Sequence, residues 1–103
     1  MAQKFTKEQI DYFISEAYPL TIIADRYSGT YSGGRYLAFL DDYWNIADEI
    51  DGCDPDCKSF WRKFDGIVGR GLTPDEAIVN LMQELKKNNY RSDLFKEVLN
   101  HET

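Results

Sequence analysis

Cysteine, histidine and proline are scarce in this chain, which holds two, one and three of them in 103 residues, and no long apolar run occurs in it. Each shortage removes a class of function. Two cysteines, Cys53 and Cys57, are too few to staple a small fold and read as reduced thiols. With His101 they make three possible zinc ligands where a structural site takes four, and the carboxylates between 41 and 57 lack the glycine and terminal glutamate spacing of an EF-hand loop. No metal and no cofactor is therefore expected. The single histidine falls in the last three residues, where chains fray, so no Ser-His-Asp arrangement can be built and the chain reads as a non-enzyme. No stretch approaches the ~20 apolar residues that span a bilayer, and Met1 to Thr6 shows no basic region followed by an apolar one. A cytoplasmic protein without a membrane partner is expected.

The most telling absence is local. Between Asp41 and Cys57 there is no Lys or Arg, while Asp41, Asp42, Asp48, Glu49, Asp51, Asp54 and Asp56 give this stretch a charge of -7 in a chain whose net charge is -6. The remainder balances 12 basic against 11 acidic residues, so the asymmetry sits in one connection. Direct nucleic-acid binding is disfavoured, because contact with phosphate is driven by Lys and Arg. The same stretch carries Tyr43, Trp44, Ile46 and Ile50. Charge of one sign with aromatic and aliphatic anchors fits a protein interface, and the candidate partner-binding residues are Asp41, Asp42, Tyr43, Trp44, Asp48, Glu49, Asp51, Asp54 and Asp56. The alternative is a loop pinned to the core by Trp44, Ile46 and Ile50 with its carboxylates in water. The residues support both readings equally.

What is present argues for one folded α+β domain over 1–103, since 43% hydrophobic and 15% aromatic residues are enough for a core and too many for a disordered chain. Thr6 with Gln9 forms a capping box and Phe5 with Ile10 a hydrophobic staple, so a helix is expected from Lys7 to about Tyr18, with Ile10, Phe13, Ile14 and Ala17 on its buried stripe and Pro19 ending it. The β-branched run Leu20 to Asp25 and the apolar run Arg35 to Leu40 read as two strands of a hairpin. Asp54 as N-cap and Pro55 at the first position open a short helix holding Phe60, Trp61 and Phe64. Gly66 to Gly69 reads as a third strand, and Thr73-Pro74-Asp75-Glu76 is the clearest helix start in the chain. Ala77, Ile78, Leu81, Met82 and Leu85 form that helix's buried face, and a last helix begins at Ser92. The expected architecture is a three-stranded, mainly antiparallel sheet covered by three to four short helices. Gly29 to Arg35 has the look of a phosphate loop, but Arg35 is followed by Tyr36 and a strand where that motif needs Lys, then Ser or Thr, then a helix. It is expected to be the hairpin loop.

The segment Gly66 to Leu85, GIVGRGLTPDEAIVNLMQEL, following RYLAFL, resembles the strand-to-helix step of the HicB antitoxin-like fold, with Gly71, Thr73, Glu76 and Ala77 on the family's helix-start pattern. The resemblance implies a three-stranded sheet leading into a helix, and a toxin ribonuclease as partner. The family's short turn between its second and third strands is replaced here by the long acidic connection. The run Thr21 to Tyr36 resembles small uncharacterised proteins of phages and mobile elements, which implies that biological setting and no mechanism; the acidic stretch, read in that setting, fits an inhibitor of the anti-CRISPR or anti-restriction type. Such a protein would block a basic host protein, a nuclease for example, by presenting carboxylates where that protein expects phosphates.

Overall fold

The computed structural model describes residues 5–42, 45, 46 and 52–100. Their order is α1 (Lys7–Glu16), β1 (Thr21–Ala24), β2 (Tyr36–Phe39), α2 (Asp54–Lys63), β3 (Gly69–Gly71), α3 (Pro74–Lys87) and α4 (Ser92–Leu99). The three strands form one antiparallel sheet with β2 in the middle. The expected α+β class is what the chain adopts.

Strand alternation divides the molecule into three layers. Ala38 of β2 turns to one face, where Phe13 and Ala17 from the α1 end, Ile78, Leu81, Met82 and Leu85 of α3, and Leu94, Phe95 and Val98 of α4 make the main core. Leu37 and Phe39 turn to the other face and pack with Val68 and the aromatic side chains Phe60, Trp61 and Phe64 on and after α2. All three residues Leu37, Ala38 and Phe39 are buried, as the doubly apolar run 35–40 requires.

β3 is displaced from its expected place. The strand is Gly69–Gly71, and Ile67 and Val68 lead into it. Two glycines normally weaken a strand. Here they admit α3, because a Cβ on Gly69 would lie 2.1 Å from the carbonyl oxygen of Ala77 and one on Gly71 would lie 2.4 Å from the Ala77 nitrogen. Gly69 pairs with Ala38 across the sheet, so the helix rests on a floor of small residues. Asn80 of α3 also donates its side-chain N–H to the Arg70 carbonyl. Arg70, between the glycines, is exposed on the opposite face and lies 5.4 Å over the Trp61 ring.

The helix starts are written locally. Thr6 and Gln9 make the reciprocal capping box, and Thr73 Oγ1 accepts the Glu76 N–H at 3.1 Å. At α2 the expectation is off by one residue: Cys53 occupies the cap position without a side-chain hydrogen bond, and Asp54 is the first helical residue. Its carboxylate instead accepts the Tyr31 hydroxyl at 2.9 Å. α1 ends at Glu16, before a cis Tyr18–Pro19 bond, and Ile14 of the expected stripe is 41% exposed.

Candidate interaction surface

The acidic connection is held at both of its described ends. At the first, Thr21 Oγ1 donates to the Asp41 carbonyl at 2.7 Å, and Asp41 Oδ1 accepts the Asp42 N–H and the Asn45 side-chain N–H at 2.8 and 2.9 Å. A carboxylate that captures the next amides folds its own turn, which leaves Asp41 half-buried and Asp42 exposed. At the second, Arg26 and Tyr27 both donate to the Gly52 carbonyl, at 3.0 and 3.2 Å, and Tyr31 donates to Asp54. Asp54 and Asp56 are exposed in the first turn of α2, where negative charge complements the helix N-terminus. Tyr43, Trp44, Asp48, Glu49 and Asp51 lie outside the described residues, as do Ile50 and His101.

The clamp at Gly52 belongs to the hairpin loop between β1 and β2, and one buried residue organises that loop. Asp25 Oδ2 accepts the Gly29 N–H, and the Asp25 N–H donates to the Arg35 carbonyl at 2.8 Å. Gly29 and Gly33 take positive φ, and their amides, with that of Gly34, bond within the loop. No phosphate cradle remains in those three amides, because each already has an acceptor. Tyr27 and Tyr31 then meet edge to face, with ring centroids 5.6 Å apart, and point their hydroxyls at the connection. The hydrogen bond to Asp54 and burial hold the Tyr31 hydroxyl above its ordinary pKa, and burial does the same for Tyr27. Asp25, Arg26, Tyr27 and Tyr31 were not legible as site residues. The signal for them is Asp25 four residues before the turn glycine, with two tyrosines spaced by four inside a glycine-rich loop.

The two thiols differ. Cys57 is fully buried and Cys53 is exposed, its Sγ 3.5 Å from an Asp56 oxygen. Among the described residues no group of three or more His, Cys, Asp or Glu side chains is placed to hold a metal ion. Nor is any helix among them long and apolar enough to cross a membrane.

Beside the first anchored end, a cleft of about 490 Å³ opens past the end of β2. Phe39, Ile46, Phe60 and Phe64 reach it from the α2 layer, and Leu40, Ile67 and Leu85 from the main core. Asp41, Asn45, Gly66 and Tyr90 complete its wall. β2 separates the two cores only as far as Phe39, so the layers part beyond it and leave this apolar seam open. In comparisons with family models, with curated proteins and with solved structures, the chain matches none.

Proposed function

We propose that the chain is a non-enzymatic interaction protein that binds and blocks a nucleic-acid-handling protein through the latter's basic surface, in the manner of an anti-CRISPR or anti-restriction inhibitor. One observation carries the reading: the -7 connection is tethered at Asp41 and at Gly52 and Asp54 to the folded body, with Asp42, Asp54 and Asp56 exposed. Tethering supports recognition because a charged loop held at both ends has less conformational entropy to lose on binding than a free one. The attribution to a phage or mobile element rests on the resemblance of the 21–36 run.

The test is capture from bacterial lysate by the immobilised chain, run beside a variant with Asp48→Asn, Glu49→Gln, Asp51→Asn and Asp54→Asn. Asparagine at 54 keeps an oxygen for the Tyr31 hydroxyl, so the anchor survives while the charge is removed. A basic protein retained by the wild type, released by salt and not retained by the variant is the expected result. Equal retention by both chains refutes the reading. A second reading, a HicB-like antitoxin, is favoured by the run of antiparallel strands ending in β3 and leading into the Thr73-capped α3. It predicts a toxin gene adjacent to this one, whose growth arrest the chain relieves on co-expression.

A further inference from the structure

We infer that the cleft past the end of β2 receives an apolar anchor side chain, aromatic or branched aliphatic, carried within a Lys- and Arg-rich segment of the partner. The inference rests on the charge-based reading above and adds to it a pocket and a sequence feature of the ligand. The cleft's volume, about 490 Å³, lies within the range of specific ligand pockets, roughly 300–1,000 Å³, and far beyond a packing void. Its walls are phenyl rings and aliphatic side chains, which water solvates poorly. Tyr90 stands at its mouth with 51% of its surface exposed, held there by a turn in which its N–H donates to the Leu85 carbonyl at 2.9 Å. A large aromatic on a fixed turn beside an apolar recess is the composition of an interface anchor point.

The charge pattern selects the occupant. Asp41 is the one charged side chain among the described residues of the lining, and it opens the -7 connection, with Asp42 exposed next to it. Asp65 is exposed between the lining residues Phe64 and Gly66, but Lys63 precedes Phe64 and Lys86 and Arg91 follow the lining residues Leu85 and Tyr90, so the acidic side of the mouth is the one at Asp41 and Asp42. An apolar group entering past Asp41 brings its flanking residues against those carboxylates, so Lys and Arg flanks are attracted and Asp and Glu flanks are repelled. A hydrophobic anchor supplies the short-range free energy and the basic flanks supply steering and register, which neither feature achieves alone.

Fluorescence anisotropy of three labelled octapeptides against the full chain tests this: KRKLWKRK, KRKGGKRK and EDELWEDE. KRKLWKRK is expected to bind about tenfold or more tightly than either of the others, since one well-buried anchor is worth at least ~1.4 kcal/mol. Tyr90→Ala should weaken it roughly fivefold and Tyr90→Arg further, by the loss of an exposed anchor and the gain of a like charge. Leu72→Ala, at a 70% exposed position outside the cleft, should leave it unchanged. Equal binding of KRKLWKRK and KRKGGKRK overturns the cleft while leaving the charge reading intact. Equal binding of KRKLWKRK and EDELWEDE overturns the charge reading itself and the basic-flank assignment with it. Absence of binding by all three overturns the inference, as does a self-association that Tyr90→Ala abolishes, which would assign the cleft to a second copy. The peptide comparison uses the wild-type chain and does not depend on any variant folding.

Discussion

Replacing Gly69 by alanine should be among the most damaging single-methyl changes available in this chain. The added Cβ would lie 2.1 Å from Ala77 O, 2.4 Å from Leu81 N and 2.6 Å from Leu81 Cβ, so it meets helix backbone on two sides. Neither backbone nor strand can yield by a rotamer change, and α3 must lift from the sheet by about 1 Å to restore contact at van der Waals distance. A gap of that size forfeits roughly a quarter to a half of each affected dispersion contact, and Ala77, Ile78 and Leu81, each at most 4% exposed, all sit on the lifted face. Overpacking ordinarily costs about 1–3 kcal/mol. With the helix displaced as a unit, about 3 kcal/mol or more is expected from a total of ~5–15 kcal/mol. At roughly 4–8 °C per kcal/mol, Tm should fall by about 12 °C or more. Urea denaturation followed by tryptophan fluorescence reads the change. The control is Gly66→Ala, whose Cβ would meet the far edge of the half-buried Phe64 ring at 2.9 Å, a side chain and not helix backbone. A loss under ~1 kcal/mol at Gly69, or equal losses at the two glycines, would refute the argument that glycine is there to admit the helix.

Three further outcomes follow from the same structure. Leu81, fully buried, should cost about 2–5 kcal/mol as Leu81→Ala, whereas Glu84→Ala on the partly exposed side of α3 should change the urea midpoint little. Thr73→Ala removes the oxygen that accepts the Glu76 N–H and should cost about 0.5–2 kcal/mol in the same assay, with Thr73→Ser close to wild type. The Tyr31 hydroxyl has its pKa raised by the Asp54 hydrogen bond and by burial, so its contribution is fully present below the unfolded tyrosine value near 10 and is lost as pH rises through the folded value. Thermal melts between pH 9 and 11 should show a shallower decline for Tyr31→Phe than for the wild type.

Local chemistry made the helices legible. A threonine, an acidic or amide residue three positions on and a periodic apolar stripe place α1 and α3 from their own residues, since capping and amphipathicity are encoded within one turn. β3 was misplaced for the opposite reason. What makes Gly69–Gly71 a strand is the approach of α3 to Gly69 and the pairing with β2, both tertiary, while Ile67 and Val68 carry the local β-preference. The candidate interaction surface divides the same way. Its charge was readable by counting, but its anchoring was not, because the pairs Arg26 and Tyr27 to Gly52 and Tyr31 to Asp54 join residues more than 20 positions apart. The cleft was also hidden: it arises where β2 stops separating two cores, and its described lining is drawn from three separated parts of the chain, within 39–46, 60–67 and 85–90.

If carboxylates of the 41–57 stretch steer a basic partner, as proposed, the rate of association must carry their charge. Stopped-flow measurement of kon with the captured partner, at salt from low to several hundred millimolar, should show a steep fall for the wild type as exposed charges are screened over about 8 Å near physiological ionic strength. The variant neutralised at Asp48, Glu49, Asp51 and Asp54 should associate slowly and almost independently of salt, with its thermal unfolding nearly unchanged, the small loss being that of the Asp54 charge at the α2 N-terminus. Identical rates and identical salt dependence in the two chains would rule out electrostatic steering by this stretch.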